Sequence, residues 1–278
     1  MSSAAQVPAG INCKKAKNVH ERMQIHTLPR WEKGPSPSPA CMKLESYLRL
    51  AKVPHDVIPG NKDGPYGRWP FMSHQGYQIG DSSSIILYVK ENFKVDLEAN
   101  LTKKDHQQGT MILRLVENSA YYALCRNRWV DNYSTQTEMM KMEVPGLLKK
   151  AITSKIQSTM IEQLNQQGCG DRTTEEYLGD FLADMEALQP WIPTTDSESF
   201  LLGSATPTVY DCAVFAFLDN LIHFPAPVPC EAQKLMLQND DVVAYVRRMR
   251  SLVYPDVDEL VKRIGKQSVP ETWDPPKA

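Results

Sequence analysis

Residues 30–49 read RWEKGPSPSPACMKLESYLR, and this stretch decides the architecture of the N-terminal part of the chain. Three prolines within five residues cannot lie in a helix interior, because proline lacks the N–H that the interior requires. Ser38 is a favoured N-cap and Pro39 fits the first helical position, so the sequence predicts a rigid loop followed at once by a helix. Leu44 and Leu48 recur at helical spacing and predict its buried face. Solvent-exposed positions on the same helix are expected at Lys43, Glu45 and Arg49.

Short strands and a second helix are predicted on either side of this segment. Alternation of polar and apolar residues at 23–28 is typical of a strand. The predicted order is strand 23–28, the helix from 39, strand 55–58, strand 71–73, strand 77–79 and a helix from 82 to about 92. This order predicts a small α/β domain.

The pattern changes after residue 94, where long amphipathic stretches replace the strands. They lie at about 103–132, 136–166, 174–191, 208–223 and 238–251. Thr208 and Asp211 form a Ser/Thr-x-x-acid box, which predicts the start of a helix. We therefore expect four parts: a flexible tail at 1–22, the α/β domain at 23–94, an all-helical domain at 103–255 and a C-terminal extension at 256–278.

Composition excludes several classes of protein. The chain has 278 residues, 42% of them hydrophobic and 23% charged, which is typical of a globular protein. The net charge of −2 gives no basic excess for nucleic acid. No apolar run reaches the ~20 residues that span a bilayer, and the N-terminus lacks the apolar core of a signal peptide. The six scattered cysteines form no CxxC pair, so we expect a reduced, cytoplasmic protein without a metal.

The most reactive pattern is Ser38-Pro39-Ala40-Cys41, which has the spacing of a redox CxxC motif with serine in the first position. A helix N-terminus offers free N–H groups and a partial positive charge. A hydroxyl there would stabilise a bound thiolate by hydrogen bonding. The alternative is that Ser38 is only a cap and Cys41 only core. The loop also leaves open whether Ser36 or Ser38 faces a ligand.

Two further features follow in the sequence. Trp69-Pro70 precedes a predicted strand at the distance of a cis-proline loop, which would present a backbone N–H and C=O to a peptide-like ligand. Asp81-Ser82 starts the second predicted helix, a position that suits a carboxylate. Each feature is weak alone, because proline and serine near turns are common. Their order along the chain is more informative.

That order resembles the glutathione-binding half of the glutathione transferase fold. The resemblance implies an α/β thioredoxin-like N-terminal domain plus an all-α C-terminal domain, with glutathione as co-substrate. It implies that Ser38 lies beside the glutathione sulfur and that the Trp69 backbone pairs with the cysteinyl part. It also implies that Asp81 and Ser82 bind the γ-glutamyl group.

Longer segments narrow the resemblance within that superfamily. They are SPACMKLESYLRLAKVP, GRWPFMSHQG, IGDSSSII, QGCGDRTTEE, FLLGSATPTVYDCAVFAFL and VVAYVRRMRSLVYPD. These segments resemble the failed axon connections family, which groups with the metaxins, and the resemblance covers about residues 23–255. The chain departs from that family at Trp69, where a smaller aliphatic residue is usual, and at Asp171-Arg172, where Arg-His is usual.

The stretch ENSAYYALCRNRW at 117–129 is the candidate for the second half of a cleft. The resemblance places this helix opposite the glutathione site. The candidate substrate-cleft residues are Asn118, Tyr121, Tyr122, Cys125, Arg126 and Trp129. Four of them lie at steps of four, three and four and share one face, which is equally typical of a stripe packed at a domain interface. Arg126 and Arg128 are expected to be solvated or ion-paired, although either is suited to an anionic substrate.

Three functions are consistent with these patterns. Favoured is a glutathione-dependent transferase that acts on a small electrophilic organic substrate, with Ser38 stabilising the thiolate. The second is a non-catalytic binding or adaptor module of the metaxin-like type. The third is thiol exchange through Cys41, or a glutathione-dependent isomerase or lyase. We expect no nucleic-acid partner and no membrane span, and the superfamily resemblance implies a homodimer.

Overall fold

The computed structural model describes residues 5–16, 19–60, 64–140, 145–262 and 270–276. Its strands are β1 (Cys13–Lys15), β2 (Met23–Thr27), β3 (His55–Pro59), β4 (Phe71–His74), β5 (Tyr77–Gly80) and β6 (Glu271–Trp273). Its helices are α1 (Pro39–Leu50), α2 (Ser82–Phe93), α3 (Lys103–Arg114), α4 (Tyr121–Arg126), α5 (Tyr133–Met139), α6 (Gly146–Gln167), α7 (Thr174–Leu188), α8 (Val209–Ile222), α9 (Glu231–Gln238), α10 (Asp240–Val253) and α11 (Val257–Val261). The α/β part and the helical part follow one another as the sequence predicts.

The six strands form one mixed sheet in the order β1-β5-β4-β2-β3-β6. Strand β2 pairs in parallel with β3 and antiparallel with β4. Met23, Ile25 and Thr27 alternate as the buried positions of β2, which confirms the strand predicted there. This apolar face packs with Leu44 and Leu48 of α1 in one core cluster. The packing fixes α1 against the sheet, so that its first turn starts just beyond the end of β2.

Both edges of the sheet are formed by segments that the sequence analysis assigned to a flexible tail and to a C-terminal extension. At one edge β1 pairs antiparallel with β5, with Cys13 opposite Ile79. At the other edge β6 pairs antiparallel with β3, with Glu271 opposite Val57. Such short strands carry little local signal. They form because each edge of a sheet offers unpaired backbone groups to a passing segment.

Helix α1 is buried on its polar side as well, contrary to the exposed face predicted for it. Glu45 accepts hydrogen bonds from Arg30 (2.6 and 2.9 Å) and from Arg49 (3.0 Å). Although burial opposes ionisation of this carboxyl, the two guanidinium groups lower the pKa of Glu45 to about 2. Glu271 of β6 also pairs with Arg30, at 2.7 Å. An ion-pair network therefore covers the face of α1 that the sequence assigned to water.

The helical half is less regular than predicted. The stretch expected as one helix at 103–132 contains two π-helical segments, Leu115–Ala120 and Asn127–Asp131. The stretch at 136–166 divides into α5 and α6, and α9 carries no prediction at all. Each π turn rotates the following residues relative to an ideal helix, so face assignments made from 3.6-residue spacing drift. No helix within the described residues has the length and apolar character needed to cross a bilayer.

Helix α8 forms the centre of the helical half and starts at the predicted capping box. Asp211 accepts from the backbone N–H of Thr208 (2.8 Å) and of Leu201 (3.0 Å), and from the hydroxyl of Tyr245 (3.0 Å). Thr208 and Asp211 are both 0% exposed. The buried Asp211 carboxylate thus has protein partners for both of its oxygens. Helix α8 itself packs directly against α1.

Candidate functional site

Ser38 lies at the N-cap of α1, with extended backbone dihedral angles. Its Oγ accepts a hydrogen bond from the N–H of Cys41 at 3.3 Å. The residue is partly exposed, and a capping hydroxyl that accepts one bond can still donate its own O–H. The geometry therefore leaves a hydroxyl donor at the positive end of a helix, where solvent and ligands have access.

Ser36 takes a different part in this loop. It is only 2% exposed, and its Oγ accepts from the backbone N–H of Ser38 at 3.2 Å. Its hydroxyl shapes the turn rather than facing a ligand. Of the two hydroxyls that the sequence left open, the geometry favours Ser38.

The Cys41 thiol lies behind Ser38 and is buried. Burial raises the pKa of Cys41 to about 11, although a hydrogen bond with Ser38 acts in the opposite direction. A thiol with this pKa is almost wholly protonated at neutral pH, and only the thiolate is a good nucleophile. This environment does not favour thiol exchange through Cys41.

The Trp69–Pro70 peptide bond is cis, in the conformation expected for this loop. The carbonyl of Pro70 accepts from the N–H of Asp81 at 3.3 Å, which brings the two predicted binding segments together. Trp69 is partly buried and Pro70 is buried. The loop thus lies directly beside the start of α2.

Asp81 caps α2 in a strained conformation. Its backbone has φ 73° and ψ 124°, a region that residues with a Cβ rarely adopt. The Asp81 carboxylate accepts from the N–H of Ser84 at 2.9 Å and remains exposed. Ser82 is 5% exposed, and its hydroxyl has no hydrogen-bond partner within the residues described. Backbone strain of this kind costs about 1–3 kcal/mol and is concentrated at functional sites.

Behind these residues, Lys43 connects α1 to α2 and to the helical half. Its Nζ donates to the Ser83 hydroxyl at 2.8 Å and to the Glu117 carboxylate at 2.7 Å. Lys43 is buried, whereas the sequence predicted it on an exposed face. The start of α2 is therefore anchored from both halves of the molecule.

The candidate cleft residues in and around α4 do not line a single surface. Tyr122, Cys125 and Trp129 pack in a cluster with Leu164 of α6, as the interface alternative expected. Asn118 is exposed, and its carbonyl accepts from Gln167 at 3.2 Å. Among the described residues, no hydrogen bond joins any of these four side chains to Ser38.

Tyr121 packs against the same cluster and in addition interacts electrostatically with the Cys41 thiol of α1. The neighbouring Cys125, burial and the Cys41 thiol together raise the pKa of its hydroxyl. The hydroxyl therefore stays protonated and can donate a hydrogen bond at neutral pH. Tyr121 is the one cleft candidate for which an interaction with Cys41 is found among the described residues.

The two arginines of this stretch are both engaged by the protein. Arg126 donates to the carbonyls of Cys169 and Arg172, each at 2.7 Å, and lies 4.1 Å from the ring centre of Tyr177. Arg128 is 3% exposed and donates to the carbonyl of Pro37 at 3.0 Å. It has no carboxylate partner in the described part of the chain, so the prediction that it is solvated or ion-paired is wrong. Its side chain instead touches the loop that leads to Ser38.

A separate cleft of about 330 Å³ opens in the helical half. It is lined by Ser119, Ala123, Gln167, Gly168, Cys169, Arg172, Tyr177, Asp180, Phe181 and Asp184. Burial raises the pKa of Asp184, and Asp180 pairs with Arg172 at 2.9 Å. None of the residues proposed to bind glutathione lines it. Nowhere in the described ranges do three or more metal-ligating side chains come together.

Comparison with protein families gives two matches. The glutathione S-transferase N-terminal domain matches residues 39–135, and the glutathione S-transferase C-terminal domain matches residues 182–249. The first match begins at the first residue of α1 and includes Trp69, Asp81 and Arg128. Both halves of the fold are therefore represented.

Two curated relatives are similar over most of the chain. The isoprene-epoxide–glutathione S-transferase of Rhodococcus sp. (strain AD45) is 26% identical over 71% of this chain and 85% of its own length. Failed axon connections of Drosophila melanogaster is 24% identical over 91% of this chain. The match covers 63% of the Drosophila protein, so this chain spans less than two thirds of that relative.

Solved structures show the same fold. A glutathione S-transferase of Ceriporiopsis subvermispora in complex with glutathione aligns with a TM-score of 0.57 and 13% identity, over 85% of this chain and 100% of its own. A β-etherase of Sphingobium sp. strain SYK-6 aligns with a TM-score of 0.58 and 11% identity, over 87% and 99% of the two chains. At these identities the likeness establishes the fold, a thioredoxin-like domain followed by a helical domain.

Proposed function

Because the chain belongs to the glutathione transferase superfamily, within which it resembles Failed axon connections, we propose that it binds glutathione and transfers it to a small organic electrophile. The observation that carries the proposal is the partly exposed hydroxyl of Ser38 at the N-terminus of α1. A donor at this position favours an anion, and the glutathione thiolate is the anion that the reaction requires.

In the proposed reaction, Ser38 donates a hydrogen bond to the glutathione sulfur and lowers the pKa of the thiol. The first turn of α1 contains no acidic residue, so its partial positive charge also favours the thiolate. The thiolate then attacks an electrophilic carbon. A new S–C bond forms, the bond to the leaving oxygen or halide breaks, and an alkoxide formed in this way takes a proton from water.

The start of α2 suits the other end of glutathione. The exposed Asp81 carboxylate is proposed to pair with the γ-glutamyl ammonium group. The Ser82 hydroxyl and the N-terminus of α2 are proposed to bind the adjacent carboxylate. The backbone of Trp69 would pair with the cysteinyl part. The proposal is supported by the contact between Pro70 and Asp81 and by the Ser82 hydroxyl, which no described residue hydrogen-bonds.

For the electrophile, we propose a small epoxide as the first class to test. The support is the Rhodococcus relative, whose name gives isoprene epoxide and glutathione as its substrates. Ring opening needs no leaving group other than the epoxide oxygen. The assay is glutathione conjugation of short aliphatic epoxides, followed by mass spectrometry of the product.

Calorimetric titration with glutathione tests the binding step. We expect the wild-type protein to bind and Asp81→Ala to bind about tenfold more weakly, since a charge-assisted contact is lost. The matched control is Asp105→Ala, because the Asp105 carboxylate accepts from the N–H of Thr102 (2.9 Å) at the start of α3. Equal losses in both variants, or no binding by the wild type, would overturn the proposal.

The second candidate is a non-catalytic binding or adaptor module. It is favoured by the match to Failed axon connections, which extends over 91% of this chain and so includes segments beyond both family models. Glutathione binding without conjugation of any epoxide or aryl halide would support this candidate. Measurable conjugation that depends on Ser38 would exclude it.

Glutathione chemistry also suggests where the protein works. All six cysteines are free thiols, which fits a reducing compartment such as the cytoplasm. We further propose a homodimer, as the superfamily resemblance implies. Light scattering of the purified chain tests the dimer, and fractionation of cells tests the compartment.

A further inference from the structure

The loop before Ser38 is held by three side chains through three consecutive carbonyl groups. The bonds run from Arg30 to Pro35 (2.8 Å), from Asn220 to Ser36 (3.1 Å) and from Arg128 to Pro37 (3.0 Å). All three donor residues are buried. We call these donors, Arg30, Asn220 and Arg128, the carbonyl clamp.

The clamp joins the two halves of the molecule. Arg30 follows β2 and pairs with Glu45 and Glu271. Asn220 lies in α8, and Arg128 lies in the π-helical segment after α4. Two of the three bonds that fix the loop therefore come from the helical half, even though the loop belongs to the α/β half.

Arg128 is the least expected member of the clamp. Its guanidinium lies 5.1 Å from the ring centre of Trp31 and 4.9 Å from that of Phe224, and burial lowers its pKa to about 10. Its Nη1 also donates to Oδ1 of Asn220 at 3.0 Å. Asp219 lies close enough to raise this pKa, but among the described residues no carboxylate forms an ion pair with Arg128. What it supplies is a rigid fork of donors on the loop and on Asn220.

The clamp acts one residue away from the reactive hydroxyl. The Pro37 carbonyl belongs to the peptide group that contains the Ser38 N–H. That N–H donates to Ser36 Oγ, and Asn220 holds the carbonyl of the same Ser36. A shift of this loop therefore moves Ser38 directly.

We propose that Arg128 and Asn220 are positioning residues, which hold the loop so that the Ser38 hydroxyl meets the glutathione sulfur at a fixed distance. This inference rests on the proposed function. It assigns to the helical half a part in activating the thiol, in addition to lining a substrate cleft. A misplacement of about 1 Å at a reacting group lowers turnover by about 10²-fold.

The test compares Arg128→Met with Arg248→Met. Arg248 is a matched control because it also donates to two carbonyls, of Ser197 (2.6 Å) and Ser199 (2.5 Å), and lies 4.5 Å from the ring centre of Phe200. Methionine retains much of the volume of the side chain and leaves no buried charge at this position. Arg128→Lys is the second variant. It keeps a cationic donor, and it provides the test if the methionine variant does not fold.

Four quantities are measured on the full chain: amide exchange, the pKa of the bound thiol, glutathione affinity and kcat. In the absence of glutathione, hydrogen exchange at the amides of Ser38 and Cys41 should become at least about tenfold faster in Arg128→Met, but not in Arg248→Met. With glutathione bound, the pKa of its thiol should rise in Arg128→Met while the affinity for glutathione changes by less than about threefold. We expect kcat to fall about 10²-fold, with partial recovery in Arg128→Lys.

Amide exchange and the thiol pKa separate the clamp from the proposed function. Faster exchange at Ser38 without any glutathione binding by the wild type would support the clamp and overturn the transferase. Unchanged exchange in both Arg128 variants would overturn the clamp. An unchanged thiol pKa in a variant with faster exchange would overturn the claim that the clamp positions Ser38.

Discussion

The N-termini of α1 and α8 are capped by the same kind of residue but differ in exposure and charge. Each helix begins at a hydroxyl N-cap, Ser38 in one case and Thr208 in the other. At α8 an acidic residue, Asp211, completes the capping box, and the whole cap is 0% exposed. At α1 no acidic residue occupies the first turn, and Ser38 remains partly exposed.

The difference shows how a helix start becomes available to a ligand. A carboxylate in the first turn neutralises the partial positive charge and occupies the free N–H groups. Asp211 does this for α8, which therefore has nothing left to offer an anion. Helix α1 retains its charge, and its capping hydroxyl retains a proton to donate. The cap of α8 stabilises the fold, whereas the cap of α1 is suited to activate a thiol.

The largest effect is expected for Asp211→Ala. It leaves buried donors of Leu201, Thr208 and Tyr245 without a partner, so the free energy of unfolding should fall by about 3–5 kcal/mol. Urea unfolding measures this loss. Asp105→Ala in the exposed capping box of α3 is the control, with an expected loss of about 1 kcal/mol. Similar losses in the two variants would contradict a purely structural cap at α8.

Ser38→Ala should show the reverse pattern. Turnover is expected to fall about 10²-fold because the donor to the sulfur is removed, while unfolding loses only about 1 kcal/mol for the cap. Steady-state kinetics and urea unfolding provide the two numbers. Thr102→Ala, which removes the hydroxyl cap of α3, controls for the loss of a cap alone. Turnover that falls equally in both variants would remove the special role of Ser38.

Asp81→Gly separates binding from stability at the start of α2. Glycine adopts positive φ without strain and is a tolerated N-cap. The free energy of unfolding should therefore equal that of the wild type or exceed it by about 1 kcal/mol. Glutathione affinity should fall about tenfold because the carboxylate is lost. Thermal unfolding and calorimetry check the two effects. A loss of stability together with full affinity would show that Asp81 is a structural cap like Asp211.

The smallest effect is expected at Cys41. Its buried thiol has a pKa of about 11, so Cys41→Ala should change turnover by less than about twofold. In the wild type, the rate of Cys41 alkylation should keep rising with pH up to about pH 10, since the reactive thiolate forms only as the pKa is approached. Peptide-level mass spectrometry follows the modification. A rate that levels off near pH 8 would instead indicate an activated thiol.

The parts of the fold with strong local signals were predictable. The Pro-rich loop and Ser38 cap predicted the start of α1, and Thr208 with Asp211 predicted the start of α8. Strands β1 and β6 could not be predicted, because three-residue strands depend on the sheet edge that they meet. The ion-pair network on α1 was missed for a similar reason. Arg30 pairs both with Glu45 and with Glu271, and Glu271 lies 241 residues away from Arg30 in sequence.

The site was predictable to a different degree on its two sides. Ser38, Pro70 and Asp81 lie in short motifs whose order suggested their use. Arg128 gave no such signal, because the Pro37 carbonyl lies 91 residues away in sequence. The π-helical segments also defeat face assignments made with regular spacing.

The most direct test of thiol activation by the cap of α1 is the pKa of the glutathione thiol bound to the wild type and to Ser38→Ala, measured from thiolate absorbance against pH. We expect the wild type to lower this pKa by at least about one unit from the ordinary thiol value, near 8.5, and Ser38→Ala to return it most of the way to that value. Equal pKa values in the two proteins would contradict the claim that the open cap of α1 activates the thiol.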